Sequence, residues 1–184
     1  MRIHSEAAIF SVLETVPIFQ NLDGDSIREL AVASSMSELE DLDLLFKEGE
    51  EANEVYLVIK GSIRLTCDTE EGPSIVVGYA QSGDVLGEMA IIDPAPRSAT
   101  ARAAESAVVL HIPAEAMTGF LDKGHPVAQV LLVAVRQMMT HRIRILNQRI
   151  GALFLIDHES EAADEAESVA SRLREIWSMM RSGG

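Results

Sequence analysis

The pattern that most restricts the fold of this chain lies between Ser37 and Ile112, where short apolar runs are cut by glycines and acidic turns. Runs of this length, separated by turn residues, are typical of the strands of a barrel or jelly roll. The strands that the pattern predicts are Glu40–Phe46, Glu54–Lys60, Ser62–Asp68, Ser74–Ala80, Ala99–Ala103 and Ser106–Pro113. We therefore expect the centre of the chain to be built from β-strands.

Helical patterns flank the predicted strands on both sides. Residues 5–36 contain apolar patches at helical spacing with a break at Pro17, which predicts two or three short helices. After the strands, Pro113–Phe120 predicts a short helix, and Pro126 suits the first turn of a long helix that runs to about Ile150. The predicted fold class is α+β: a β-roll or jelly-roll barrel with short N-terminal helices, a long C-terminal helix and an extra terminal helix.

The segment after Gly151 differs in composition from the rest of the chain. Asp157–Ser171 is rich in acidic residues and alanine, and the apolar residues that follow recur at helical spacing. We expect an acidic linker and then an amphipathic helix that carries Trp177, the only tryptophan. The predicted parts are a domain over 1–150, with the β-roll at about 37–113 and the long helix at about 126–150, and a tail over 151–184.

The net charge restricts the expected partners. At pH 7 the formal charge is −14, which repels nucleic acid and anionic membrane surfaces. Only 34 residues follow Ile150, and they offer no helix-turn-helix with a basic recognition helix. No run reaches the roughly 18–20 apolar residues that a membrane span needs. We therefore expect neither a DNA partner nor a membrane partner.

Cysteine and histidine usage indicates the compartment and the kind of chemistry. The single cysteine, Cys67, cannot form an internal disulfide, and the first residues have no secretory signal pattern, so we expect a reducing cytoplasm. The five histidines lack the spacing of a metal site. No nucleophile with its base can be identified. The sequence thus predicts a cytoplasmic protein that holds no metal and is not an enzyme.

The stretch Gly83–Ala103 combines glycines, a carboxylate and an arginine. Around Gly87 the chain must turn or pass close to another group, and a helical turn beginning there would present backbone N–H groups to an anion. Pro96 restricts the approach to Arg97, whose planar guanidinium suits phosphate oxygens. Glu88 can accept hydrogen bonds from a sugar hydroxyl. These residues predict an anion site, with a surface ion pair between Glu88 and Arg97 as the alternative.

Part of this stretch resembles the phosphate-binding cassette of the cyclic nucleotide-binding domain family. The resemblance rests on three segments: Leu86–Ile92, Pro96–Thr100 and Arg102–Ala103. It extends over roughly Glu6–Ile150, since Gly49 and Gly61 fall where the family has its turn glycines. Leu86 departs from the family pattern, in which many members have phenylalanine. The resemblance implies a stand-alone bacterial domain, similar to catabolite activators and to protein kinase A regulatory subunits.

The resemblance also implies a role for each residue of the cassette. Glu88 would bond the ribose 2′-hydroxyl, and Arg97 would pair with the cyclic phosphate. Gly87 and Ala90 would provide backbone contacts, and Ser98 would lie next to the phosphate and the base. The ligand-binding candidates are therefore Gly87, Glu88, Met89, Ala90, Arg97, Ser98 and Ala99.

The base of such a ligand needs a cover, and the candidates are on the long helix or the tail. The polar residues of the helix are His141, Arg142, Arg144 and Asn147. Asn147 is near the position where catabolite-activator relatives have a base-contacting hydroxyl, so Asn147 and Arg142 are possible base contacts. A solvated helix face is the alternative for each. Trp177 either stacks on the base or anchors the tail.

The implied function is that of a cyclic nucleotide sensor. We expect cAMP in preference to cGMP, because serine follows the arginine in bacterial cAMP sensors, whereas threonine there favours cGMP in some eukaryotic kinases. Ligand binding would shift the long C-terminal helix and regulate an unknown protein effector, and the broad apolar face of this helix predicts a homodimer. The alternatives are a ligand-independent interaction or scaffold protein, a cyclic di-GMP sensor and a transcription factor.

Overall fold

A computed structural model of the chain describes residues 2–69, 72–88 and 95–148. The chain divides into two compact units, Met1–Met139 and Thr140–Gly184. The predicted linker, the terminal helix and Trp177 lie outside the described residues. The predicted domain over 1–150 with a tail over 151–184 therefore stays a prediction.

The first unit begins with a short strand and short helices. These elements are β1 (Arg2–Ile3), α1 (Glu6–Leu13), a 3-10 helix (Pro17–Phe19) and α2 (Gly24–Ala33). The side chain of Asp23 caps α2, because its carboxylate accepts hydrogen bonds from Ser26 N at 2.8 Å and Ser26 Oγ at 2.9 Å. The predicted group of short N-terminal helices is confirmed.

The strands form two antiparallel sheets. They are β2 (Ser35–Leu39), β3 (Leu44–Phe46), β4 (Glu54–Lys60), β5 (Ser62–Cys67), β6 (Ile75–Gln81), β7 (Val85–Leu86), β8 (Thr100–Ala103) and β9 (Ala107–Pro113). The first sheet has the order β1-β2-β9-β4-β7, and the second has the order β3-β8-β5-β6. Within the described residues, these two sheets form a roll and do not close into one barrel.

Two local predictions in this region are wrong. The helical pattern extended to Met36, but α2 ends at Ala33 and Met36 pairs with Leu110 in the sheet. Met36 is buried in either arrangement, so its hydrophobicity could not distinguish the two. The predicted strand from Glu40 begins only at Leu44, because residues 40–43 form a turn closed by a 3.1 Å bond from Asp43 N to Glu40 O.

Strand β4 is buried on both faces and separates two clusters of the hydrophobic core. Val55 and Leu57 belong to the cluster that includes α1, α2 and the C-terminal helices. Tyr56 and Val58 belong to the cluster between the two sheets. This alternation follows from the two-residue period of a strand. It places the hydroxyl-bearing ring of Tyr56 inside the roll.

The C-terminal part of the first unit is helical. α3 spans Ala114–Asp122, close to the predicted Pro113–Phe120. Helical backbone covers 126–148, which confirms the predicted long helix as far as the described residues extend. Its part within the first unit, 126–139, is called α4 below. Val127, Leu131 and Val135 of α4 are buried in the core.

Two features are absent from the described ranges. No helix there has the length and hydrophobicity needed to cross a membrane. In the same ranges, no three His, Cys, Asp or Glu side chains are grouped so that they could hold a metal ion.

Candidate functional site

The main chain at Arg97 is fixed to the turn between β3 and β4. Arg97 N donates to Glu50 O at 2.8 Å, and Gly49 N donates to Arg97 O at 2.9 Å. These reciprocal bonds hold the residue after Pro96 against a second segment of the chain. Although it carries a charge, Arg97 is only 6% exposed.

The guanidinium of Arg97 packs against two aromatic rings inside the roll. Its Cζ lies 4.5 Å from the ring centroid of Phe46 and 5.1 Å from that of Tyr56. The two rings are themselves stacked, with centroids 5.4 Å apart. Nη2 of Arg97 donates to Glu54 O at 2.7 Å and to the Tyr56 hydroxyl at 3.4 Å. Cation–π attraction and these bonds hold the side chain in one orientation.

Two donors of the same guanidinium have no partner among the described residues. Nε and Nη1 of Arg97 are buried and make no hydrogen bond within the described residues. An unsatisfied buried donor costs about 1–3 kcal/mol, and more when it carries charge. An anionic ligand that accepts from these atoms would remove that cost, so the geometry suits a phosphate.

Gly87 brings the first half of the cassette beside this guanidinium. It follows β7, which pairs with β4 so that Leu86 is opposite Tyr56. Gly87 has a φ of +72°, and a Cβ added there would collide with Nη1 of Arg97 and lie 3.0 Å from Glu54 O. Only glycine combines this backbone conformation with this close approach. The structure therefore brings Gly87 and Arg97 together.

The substitution Gly87→Ala should weaken ligand binding through Arg97. The added methyl group would displace the guanidinium, so we expect at least a tenfold loss of affinity for cAMP, measured by calorimetry, from a change of about 1.4 kcal/mol or more. Gly83→Ala is the matched control, because Gly83 has a φ of +92° and no atom within 4 Å of an added Cβ. Equal affinities of the two variants would contradict the role assigned to Gly87.

Glu88 faces the helical side of the roll. It is 6% exposed and lines a cavity of about 10 Å³. The other residues around this cavity are Val55, Val85, Met117, Leu131, Leu132 and Val135. A volume of this size holds about one water molecule, so a ribose does not fit there. A contact between Glu88 and a sugar hydroxyl would require α4 or the Glu88 side chain to move.

The other predicted site residues are placed as follows. Ser98 is exposed, and its carbonyl accepts a 3.3 Å hydrogen bond from Cys67 Sγ. Ala99 is half-buried immediately before β8. Met89 and Ala90 lie outside the described residues. Asn147 is exposed and Arg142 is half-buried, and both belong to the second unit, so their contacts with a base stay a prediction.

Glu54 forms a polar cluster beneath the aromatic pair. Its carboxylate accepts from Arg2 Nη1 and Nη2 at 3.0 and 2.8 Å and from the Tyr56 hydroxyl at 3.2 Å. His111 Nδ1 lies 3.2 Å from the same carboxylate, and its Nε2 lies 2.7 Å from Ser37 Oγ. Since a carboxylate only accepts, neutral His111 donates from Nδ1 and accepts from Ser37 at Nε2.

Sequence reasoning missed the residues that surround the guanidinium. Phe46, Glu54 and Tyr56 were assigned only to strands, and they are 41–51 positions from Arg97. No spacing rule connects them to the cassette. The pairing of β4 with β7, which places Tyr56 opposite Leu86, is the signal that joins them.

The cluster predicts a loss of stability in mild acid. Burial lowers the pKa of His111 below its ordinary 6.5, against the opposing hydrogen bond to Glu54. The unfolded chain therefore takes up a proton near pH 6.5 that the folded chain resists, so the free energy of unfolding falls as the pH drops through and below 6.5. His111→Gln should flatten this dependence in urea titrations, whereas His141→Gln, at an exposed position, should preserve it. Equal slopes in both variants would contradict the prediction.

A second, more acidic loss is expected from Glu54. Burial alone would raise its pKa, but the hydrogen bonds from Arg2 and His111 outweigh burial and hold the pKa below its ordinary 4.5. The stabilisation from ionised Glu54 is complete above pH 4.5 and is lost as the pH falls through the lowered value.

The chain is similar in sequence to known cyclic nucleotide-binding proteins. Residues 37–123 match the family model of the cyclic nucleotide-binding domain. The chain is 25% identical over 129 residues to the cAMP-activated global transcriptional regulator CRP of Salmonella typhimurium. This alignment covers 70% of the chain and 60% of that relative. The chain therefore spans less than two thirds of the length of this relative.

Solved structures share the fold. The regulatory domain of Toxoplasma gondii PKA, crystallised with cAMP, aligns with a TM-score of 0.57 at 26% identity and covers 70% of this chain and 48% of its own. The c-di-GMP-responsive global regulator CLP of Xanthomonas campestris aligns with a TM-score of 0.62 at 22% identity, over 70% of this chain and 63% of its own. The second likeness shows the fold alone. Together they confirm the predicted mixed helix and sheet fold.

Proposed function

We propose that this chain, whose residues 37–123 belong to the cyclic nucleotide-binding domain family, is a sensor that binds a cyclic nucleoside monophosphate and regulates a separate protein. The observation that carries the proposal is the buried guanidinium of Arg97, whose Nε and Nη1 have no hydrogen-bond partner among the residues that the structure describes. The anionic oxygens of a cyclic phosphate supply both the charge and the acceptors that these atoms need.

The proposed ligand contacts follow the cassette. Arg97 pairs with the phosphate, Glu88 accepts from the ribose 2′-hydroxyl, and Gly87 and Ala90 contribute backbone contacts. Ser98 follows the arginine, and its exposed position leaves the hydroxyl accessible to a ligand. We favour cAMP over cGMP because of this serine and because two of the aligned proteins are described as activated by or bound to cAMP.

The proposed signal passes from Glu88 to the long helix. Glu88 shares its small cavity with Leu131, Leu132 and Val135 of α4. A ribose that engages Glu88 requires α4 or the Glu88 side chain to move, and we propose that α4 moves. Because affinity and the position of α4 are then thermodynamically linked, a partner that binds one position of α4 responds to the ligand.

The proposed assembly is a homodimer through the long helix. Leu132 and Met139 of α4 are 41% and 38% exposed, and Leu146 in the second unit is 56% exposed. These residues recur every seven positions, which is typical of a helix that pairs with another helix.

The proposed effector is a protein. This chain has a formal charge of −14, which repels DNA and anionic membrane surfaces. We propose no catalytic step for this chain.

A thermal-shift panel with cAMP, cGMP, cyclic di-GMP and 5′-AMP tests the proposal. A ligand present at 100 times its Kd stabilises the folded state by about 2.7 kcal/mol, which corresponds to a rise in Tm of roughly 5–10 °C. We expect this rise with cAMP and a smaller one with cGMP. A rise with cyclic di-GMP alone would support a cyclic di-GMP sensor, and no rise with any nucleotide would support a ligand-independent scaffold.

A further inference from the structure

The hydroxyl of Tyr56 lies between the guanidinium of Arg97 and the carboxylate of Glu54. Arg97 Nη2 is 3.4 Å from the hydroxyl oxygen, and that oxygen is 3.2 Å from Glu54 Oε2. The ring of Tyr56 lies under the same guanidinium, 5.1 Å from Cζ. A single side chain therefore contacts the arginine through both its aromatic face and its polar end.

The surroundings fix the direction of these hydrogen bonds. Hydrogen bonds from Arg2 and His111 keep Glu54 ionised, so its carboxylate accepts. Burial raises the pKa of Tyr56, which keeps the phenol protonated at neutral pH. The hydroxyl therefore donates to Glu54 and accepts from Arg97. Nη2 is committed to Tyr56 and to Glu54 O, and the remaining donors of Arg97 are left for a ligand.

Packing of the aromatic ring does not require the hydroxyl of Tyr56. Phe46 contacts the same guanidinium with a plain ring, whose centroid is 4.5 Å from Arg97 Cζ. A phenylalanine at position 56 would preserve the volume and the ring contact. A buried hydroxyl costs free energy unless it is hydrogen-bonded, and here it is bonded to the ligand-binding arginine and to the carboxylate beneath it.

We propose that Tyr56 is a positioning residue for the phosphate: its hydroxyl and ring set the plane of the Arg97 guanidinium, so that Arg97 discriminates between the two exocyclic oxygens of a cyclic phosphate. This inference rests on the proposed function. The two exocyclic oxygens of a cyclic phosphate point in different directions from the ring. A guanidinium held in one plane meets them unequally, and one that rotates discriminates less between them.

The test compares Tyr56→Phe with Tyr79→Phe in the full chain. Tyr79 is the only other tyrosine and is 54% exposed. The probes are cAMP and the Rp and Sp diastereomers of its phosphorothioate, in which sulfur replaces one or the other exocyclic oxygen. For Y56F we expect about a tenfold loss of cAMP affinity, which is the size of one hydrogen bond to a charged group, and at least a threefold change in the Rp/Sp ratio of Kd. Y79F should match the wild type.

Two outcomes would overturn the inference while leaving the proposed function intact. In one, Y56F binds all three ligands as the wild type does. In the other, its affinity for both diastereomers falls by the same factor, which is the result of a merely structural role. Failure of the wild type to bind cAMP would instead reject the choice of ligand.

A spectroscopic readout tests the inference without any ligand. The ¹⁵N–¹H signal of Arg97 Nε can be assigned by its loss in Arg97→Lys. In the wild type the guanidinium should rotate slowly, and in Y56F faster rotation should broaden or shift this signal, while Y79F leaves it unchanged. An identical Arg97 signal in Y56F and the wild type would contradict the positioning role, whatever the ligand is.

Discussion

Replacing Arg97 by alanine is expected to lower the affinity for cAMP at least 100-fold. The substitution removes Nε and Nη1, the two donors that have no partner within the described part of the chain. At about 1.5 kcal/mol or more for each hydrogen bond to a charged group, the loss is about 3 kcal/mol or more. It also removes the positive charge that we propose faces the phosphate. Isothermal titration calorimetry of both proteins with cAMP measures the difference.

The matched control for this variant is Arg102→Ala. Arg102 is close to Arg97 in the chain, but it is exposed, and its guanidinium donates to Leu42 O at 3.2 Å, away from the aromatic pair of Phe46 and Tyr56. We expect R102A to bind cAMP as the wild type does. Circular dichroism and the urea midpoint of R97A establish that the variant is folded. If folded R97A kept the affinity of R102A, the assignment of the phosphate to Arg97 would be wrong.

The largest expected effect on stability is that of Gly61→Ala. Gly61 joins β4 to β5 with a φ of +83°. A Cβ there would collide with the carbonyl oxygen of Ser106 and lie 2.8 Å from Ala107 Cα. Both are backbone atoms, so the collision can be relieved only if the turn at Gly61 or the turn before β9 moves. We expect the free energy of unfolding to fall by about 3–5 kcal/mol, from the strain of the left-handed backbone and from overpacking.

Gly49→Ala separates these two causes. Gly49 has a similar φ of +81°, but no atom lies within 4 Å of an added Cβ. This variant should therefore lose only the backbone term of about 1–2 kcal/mol. Urea unfolding at constant slope measures both changes. If G61A and G49A lost the same stability, the contact with Ser106 would carry no energetic weight.

The turns and the main strands could be predicted from the sequence because their determinants are local. The apolar run Glu54–Lys60 is bounded by turn residues, and β4 has the predicted limits. Gly61 follows it directly with a positive φ. An anion site was predicted from the local requirements of Gly87 and Pro96, and the cassette was predicted from its resemblance to a family motif.

The remaining features depend on contacts between distant segments. β1 and β7 have two residues each, which is too short for any hydrophobic period. The two hydrogen bonds from Arg2 to Glu54 join residues that are 52 positions apart. The burial of Glu88 beside α4 depends on how a helix packs on the roll. None of these follows from spacing along the chain.

Arg97 and Glu88 together are expected to make the proposed sensor selective for a cyclic ligand. Arg97 and Glu88 are held on two segments that meet at Gly87. A cyclic phosphate keeps the phosphate and the 2′-hydroxyl of one ribose at a fixed separation, so the ligand is preorganised for two anchored contacts. The phosphate of 5′-AMP is on a flexible arm and must be ordered when it binds. We therefore expect a cyclic nucleotide to bind more tightly than its linear counterpart.

Calorimetric titration of the wild-type chain with cAMP, cGMP and 5′-AMP tests the central claim most directly. The account predicts saturable binding of a cyclic mononucleotide at one site per chain, with 5′-AMP at least tenfold weaker. Folded protein that binds neither cAMP nor cGMP, or that binds 5′-AMP as tightly as cAMP, would contradict it.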